Sequence, residues 1–205
     1  MQLIGGSDTE RRRGRGQALT EFALIVPLLA GLVMGLFEMG VAIAANVGVN
    51  RAAQSGAHMA STAGNMLGAD CLILEEIERS VLPPNDRSAI LDVQIERTDL
   101  GGETVFAVTR WSREASTECA LMTGDVLTVP YTLVSDGYPA DQRCNVLAGC
   151  PTLSPSRSTV DNVGVAVRYR HDWITPLSAM IPLVSGDGDG WTFVQRDVFR
   201  MEPHR

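Results

Sequence analysis

The sequence predicts an α+β protein in which a long N-terminal transmembrane helix leads into a domain built on an antiparallel β-sheet. An apolar run without charge extends from Phe22 to Phe37 and, if Glu38 is tolerated, to Ala45. After this run the hydrophobic pattern first has the period of a surface helix and then the period of two that is typical of strands. A chain of 205 residues has room for one such domain beside the membrane segment.

The apolar run is long enough to cross a membrane. Phe22 to Ala45 is 24 residues, and a helix needs about 20 to span the hydrocarbon core. A cluster of cations precedes the run, whereas Arg51 is the nearest one after it, so we expect a single pass through the inner membrane with the N-terminus in the cytoplasm. The cluster consists of Arg11, Arg12, Arg13 and Arg15.

A removable secretory signal is the alternative interpretation of this segment. Its apolar region is shorter and ends at a small-residue cleavage site, for which Ala42, Ala44 and Ala45 offer candidates. The length of the run favours a retained helix. Gly31 and Gly35 have the GxxxG spacing that allows close contact between membrane helices. Glu38 is expected either at the outer interface, which we favour, or paired inside a helical assembly.

The remaining elements follow in order. Small residues continue the first helix to about Ala63, with Thr20 as a possible cap of its start. A second helix is predicted over 70–82 and is stopped by Pro83 and Pro84. Strands are predicted over 90–97, 104–111, 126–134, 162–173 and 191–201, with a hairpin between the first two, a bend or edge at Pro130 and a long loop over 137–158. The segment 176–184 is apolar but too short to span a membrane.

Charge excludes one class of partner. All 17 basic residues are arginine, and from Arg51 onward 13 of them stand against 20 acidic residues, a formal charge of −7. Nucleic-acid binding depends on cationic contacts to phosphate, so we expect no nucleic-acid partner.

The four cysteines all follow the membrane segment. An even count in an exported domain favours two disulfides over free thiols or a metal site, and no pair has the CxxC spacing of a zinc site. We expect Cys71–Cys119 to tie the helical part to the sheet and Cys144–Cys150 to close a short loop.

Catalytic motifs are absent from the sequence. There is no GxSxG or HExxH, and the acidic, glycine-rich stretch with Asp187 and Asp189 fits a turn better than a calcium loop. We therefore expect no enzyme, no cofactor and no metal, although an anchored hydrolase is the least supported alternative.

The start of the apolar run carries a processing signal. Counting from the bond after Gly16, Gln17 is the first residue, Glu21 the fifth, and Phe22 opens the apolar helix. This is the layout that prepilin peptidases recognise. The segment from Gly16 to Pro27 (GQALTEFALIVP) resembles the start of TadE-like proteins of the tight-adherence (Flp) pilus system, and so do FEMG at 37–40 and NRAAQSGA at 50–57.

The resemblance covers roughly residues 14 to 60 and implies a minor pilin or pseudopilin. Its partners would be a prepilin peptidase, other pilins, pilus assembly proteins and the lipid bilayer. It implies a leader over 1–16, a transmembrane and stalk helix over 17–64, and a pilin-like extracytoplasmic domain over 65–205. The alternative is a membrane-anchored extracytoplasmic binding or sensor domain that never enters a filament.

Overall fold

The computed structural model describes residues 8–145, 160–175 and 190–201, with side chains from Gln17 onward. Its elements are α1 (Asp8–Ala63), α2 (Ala69–Ser80), β1 (Ile90–Thr98), β2 (Val105–Ser112), β3 (Thr117–Ala120), β4 (Val126–Val129), β5 (Thr132–Asp136), β6 (Asn162–Asp172) and β7 (Gly190–Arg200). A long N-terminal apolar helix followed by an antiparallel sheet confirms the α+β class.

The chain forms two compact units. The first comprises Met1–Val41 and Trp173–Asp189, and the second comprises Ala42–Asp172 and Gly190–Arg205. Helix α1 contributes its first part to one unit and its last part to the other.

A five-stranded sheet is the framework of the second unit. Its order is β5-β2-β1-β6-β7, and every neighbouring pair is antiparallel. The predicted hairpin is confirmed as β1 and β2, in a register that places Val93 opposite Trp111. The central strand β1 directs Val93 and Ile95 into the core, where both are fully buried.

The last part of α1 packs on one face of this sheet together with α2. Its buried positions are mostly alanine, which lets the helix approach closely: Ala45, Val49, Ala52, Ala53, Ala57 and Ala60. A Cβ atom on Gly56 would lie 2.7 Å from Cγ1 of Ile77 in α2 and 3.3 Å from Cγ1 of Val165 in β6. The helix ends at Ala63, as predicted, because Gly64 adopts the left-handed conformation with φ +60°.

The predicted bend at Pro130 is confirmed, but it divides the predicted strand over 126–134 into two elements. The chain bends at Pro130 into two strands, of which β4 pairs with β3 and β5 forms one edge of the five-stranded sheet. Pro130 cannot donate to a sheet ladder, and the side chain of Tyr131 turns inward to donate to Glu78 at 2.6 Å. Strand β3 has only four residues and was not predicted from the sequence.

The other predicted elements agree with the structure within about two residues at their ends. Helix α2 ends at Ser80, just before the two prolines. Two predictions lie outside the described residues: the loop over 137–158 from residue 146 onward, and the whole apolar segment 176–184. The described start of that loop is held by the buried Arg143, which forms an ion pair with Asp70.

The opposite face of the sheet carries buried acids beneath arginines. Asp92 pairs with Arg110 at 3.0 Å and with Arg168 at 2.7 Å, and Glu96 pairs with Arg196 at 2.8 Å. Burial raises the pKa of the Glu96 carboxyl, and Arg196 opposes part of that rise. This face is therefore a set of cross-strand ion pairs in which long arginine side chains cover the acids.

Candidate functional site

The residues of the predicted processing signal lie within α1. The helix is continuous from Asp8, so the expectation that Thr20 caps its start is wrong, and the Thr20 hydroxyl instead donates to the carbonyl of Gln17 at 2.7 Å. Glu10 and the four arginines ahead of Gln17 have a high helix propensity, which favours the helix there against the cost of Gly14 and Gly16.

Glu21 is exposed near the start of the apolar stretch. Its Oε1 accepts a hydrogen bond from the Gln17 side-chain amide at 3.1 Å, a neutral donor four residues earlier on the same helix face. Among the residues that the structure describes, Glu21 forms no ion pair. In this part of the structure the carboxylate is therefore presented outward on the helix, with the neutral Gln17 amide as its hydrogen-bond donor.

The helix that follows Glu21 exposes most of its large apolar side chains, and only the side with Ala30, Met34 and Glu38 is partly or fully covered. Phe22 is 68% exposed and Leu24 is 79% exposed. Other apolar residues of this stretch are also more than half exposed, including Leu28, Leu32, Val33, Leu36 and Phe37. Within the described chain, this is the one helix that is long and apolar enough to cross a membrane. A continuous apolar surface of this size marks a segment that contacts lipid or other proteins, which makes it a candidate membrane anchor.

Gly31 and Gly35 lie on this exposed stretch. Among the described residues, a Cβ atom built on either glycine meets no atom within 4 Å outside its own helix turn. Their proposed contact with a neighbouring helix stays a prediction.

Glu38 is the main finding that the sequence did not predict. The residue is 1% exposed, and its carboxylate accepts the backbone N–H of Ile174 at 3.1 Å and the backbone N–H of Thr175 at 2.9 Å. This intrachain contact was not expected from the sequence, while the favoured position of Glu38 at the outer interface stays a prediction. The donors are backbone groups 136 and 137 residues away, which carry no side-chain signal in the sequence.

The three cysteines that the structure describes are all in disulfides. Cys71 in α2 is bonded to Cys119 in β3, which confirms the predicted link between the helical part and the strands. Cys144 is also disulfide-bonded, and its predicted partner Cys150 lies outside the described residues.

Ligand chemistry is not evident in the described part of the chain. No group of three or more His, Cys, Asp or Glu side chains there is placed to share a metal ion. The ring of His58 packs edge-on against Phe199 with 5.9 Å between centroids, and the ring of His171 lies 6.5 Å from that of Trp191. Asp187, Asp189 and His204 lie outside the described residues.

Comparison with known proteins identifies the same N-terminal segment. No curated protein and no solved structure matches the chain. The model of the family described as TadE-like protein matches residues 16–58, which include Gln17, Glu21 and Glu38. The N-terminal part of this chain therefore matches the TadE-like family, as the motif from Gly16 to Pro27 indicates.

Proposed function

We propose that this chain is a TadE-like minor pilin or pseudopilin that acts in the assembly of a tight-adherence (Flp) type IV pilus. The family match implies a pilus-associated protein of a structural, non-enzymatic kind. The observation that carries the finer proposal is the exposed apolar stretch of α1 with the outward carboxylate of Glu21 at its start.

The helix holds the subunit in the inner membrane. The arginine cluster before it keeps the N-terminus in the cytoplasm, and the domain after it lies outside, where the Cys71–Cys119 disulfide is stable. Removal of the helix by signal cleavage near Ala45 would cut α1 next to Asn46, whose side chain accepts a hydrogen bond from Gln195 at 3.1 Å. This packing supports a retained helix.

Cleavage by a prepilin peptidase after Gly16 creates an amino group at Gln17. A carboxylate within a membrane helix costs about 2.5–3.5 kcal/mol at the centre by insertion scales and less near the surface. The Gln17 amide is a neutral partner and no described cation pairs with Glu21, so the charge of this carboxylate can be balanced by a neighbouring subunit. The amino group of a neighbouring subunit neutralises it when the helices bundle, and Gly31 and Gly35 allow those helices to approach closely.

Substitutions at the start of the helix test this mechanism. Gly16→Arg should leave an uncut precursor in the membrane. Glu21→Ala should be cut and inserted but should fail to copurify with the other pilus subunits. N-terminal sequencing of membrane fractions and pull-down of the assembled subunits measure the two steps separately.

Gln17→Ala is the matched control, because it removes the amide that contacts Glu21 and keeps the amino group made by cleavage. This variant should assemble. Glu21→Gln, which keeps the shape of the side chain without its charge, should fail as Glu21→Ala does. Normal assembly of Glu21→Ala, or a wild-type N-terminus that is intact or cut near Ala45, would contradict the pilin mechanism.

A further inference from the structure

Glu38 brings a second part of the chain to the apolar helix. Its two carboxylate oxygens accept the backbone N–H groups of Ile174 and Thr175, which follow directly after the end of β6 at Asp172. Hydrogen bonds to a charged group are stronger than those between neutral groups, and this carboxylate is almost fully buried. The segment Trp173–Thr175 is thus held at one defined position along the helix.

That position corresponds to a depth in the membrane. Glu38 lies sixteen positions after Phe22, which is about 24 Å along a helix with a rise of 1.5 Å per residue. The hydrocarbon core is about 30 Å thick. If Phe22 enters the core at the cytoplasmic side, Glu38 and its backbone partners lie near the opposite boundary, where the lipid headgroups begin.

The segment Trp173–Thr175 contains residue types that are common at membrane–water interfaces. Ile174 is 58% exposed although it is apolar, and Trp173 beside it is partly exposed. Tryptophan is enriched at membrane interfaces because its ring is apolar and its N–H is polar. The sequence has no charged residue from Trp173 to Gly186, so no charge in this run opposes contact with lipid.

We propose that Trp173 and Ile174 form a second membrane contact, which binds the outer interface of the lipid bilayer and is held against the helix by the Glu38 carboxylate. The proposal rests on the membrane placement of α1 given above. The chain then meets the lipid at two places far apart in sequence, and Glu38 is the positioning residue that joins them.

Tryptophan fluorescence in brominated lipid tests this contact. The full-length protein is reconstituted in phosphatidylcholine and phosphatidylglycerol vesicles with or without bromine on the upper acyl carbons. We expect the brominated lipid to quench the wild-type emission and Trp173→Phe to lose most of that quenching. Trp191→Phe is the matched control and should keep it, and Trp111 is buried in the core.

The positioning role of Glu38 has its own pair of variants. Glu38→Ala should reduce quenching of Trp173 by the brominated lipid, whereas Glu21→Ala, which removes the other carboxylate of the apolar stretch, should leave it unchanged. Formation of the Cys71–Cys119 disulfide checks that each variant has folded.

Two outcomes overturn the inference: equal quenching in wild type and Trp173→Phe, or unchanged quenching in Glu38→Ala. Extraction of the vesicles at alkaline pH separates this result from the proposed function. A protein that resists extraction but shows no quenching through Trp173 removes only the second contact. A protein that is extracted fails as a membrane-spanning pilin as well.

Discussion

The two parts of helix α1 are both apolar, but the first exposes large side chains and the second buries small ones. Up to Val41 the large apolar residues face outward, with Leu24 and Leu28 each more than two-thirds exposed. From Ala42 to Ala63 the buried residues are mostly alanine, and Arg51 and Gln54 are exposed. Large side chains give contact area toward lipid, whereas small ones let the helix axis approach a sheet closely. The size of the side chains, more than their hydrophobicity, distinguishes the two surroundings of one helix.

The largest expected effect is a loss of stability in the domain that contains the sheet, without a change in membrane insertion. The Cys71–Cys119 disulfide spans 48 residues of sequence, and the double variant Cys71→Ala/Cys119→Ala should lose about 4 kcal/mol of unfolding free energy in the loop-entropy model. Urea denaturation of the detergent-solubilised protein, followed by Trp111 fluorescence, measures the loss. Membrane insertion of the same variant should be normal. A variant that unfolds at the wild-type urea concentration would show that the disulfide is not structural.

A pair of glycine substitutions compares the two parts of the helix directly. Gly56→Val should destabilise the domain by about 1–3 kcal/mol, because its Cβ would meet Ile77 and Val165. A Cβ atom on Gly35 meets no described atom within 4 Å, so Gly35→Val should leave the urea midpoint of the domain unchanged. Both glycines are helical, so differences in helix propensity cancel between the two variants. Equal midpoints for the two variants would contradict the packing of α1 on the sheet.

The smallest expected effect is on how stability changes with pH. Glu96 and Asp86 should contribute to this change with opposite signs. Burial raises the pKa of Glu96, so its contribution to stability is present below the unfolded pKa and is lost as pH rises through the folded one. Hydrogen bonds from the Ser88 hydroxyl and N–H lower the pKa of Asp86, so its contribution is present above the unfolded pKa and is lost as pH falls.

Substitution of each acid by its amide isolates these contributions. From acid to neutral pH, the stability of Glu96→Gln should rise relative to wild type, and that of Asp86→Asn should fall relative to wild type. Urea midpoints measured across the carboxyl titration range give both slopes. Slopes of the same sign for both variants would contradict the assigned environments.

The sequence predicts best where a periodic pattern or a local motif is long. The period of α2 and the alternation in β6 each fix an element and its approximate ends, and the small residues of α1 fix the end of that helix but not its start at Asp8. The sequence predicts the bend at Pro130 but not the division of the strand over 126–134 between two sheets, because β5 pairs with β2 across the intervening β3–β4 hairpin. Strand β3 is too short for its pattern to be distinguished from a turn.

The candidate site shows the same limit. Gln17 and Glu21 are recognised from their spacing to Gly16, which is a local property of the sequence. The environment of Glu38 depends on the backbone of Ile174 and Thr175, and any residue type except proline offers a backbone N–H. A contact of this kind becomes visible only when the fold brings the two segments together.

The alanine face of α1 also has a consequence for the timing of synthesis. Val165, which packs near Gly56, follows it by 109 residues, and Phe199, which packs against His58, comes later still. At about 5–20 residues per second, the ribosome needs roughly 5–20 s to make the intervening chain. During this interval the helix lacks β6 and β7, which are two of the five strands of the sheet. Alanine presents little apolar area to chaperones or to other nascent chains. The newly made helix therefore has a low risk of aggregation before β6 and β7 are synthesised.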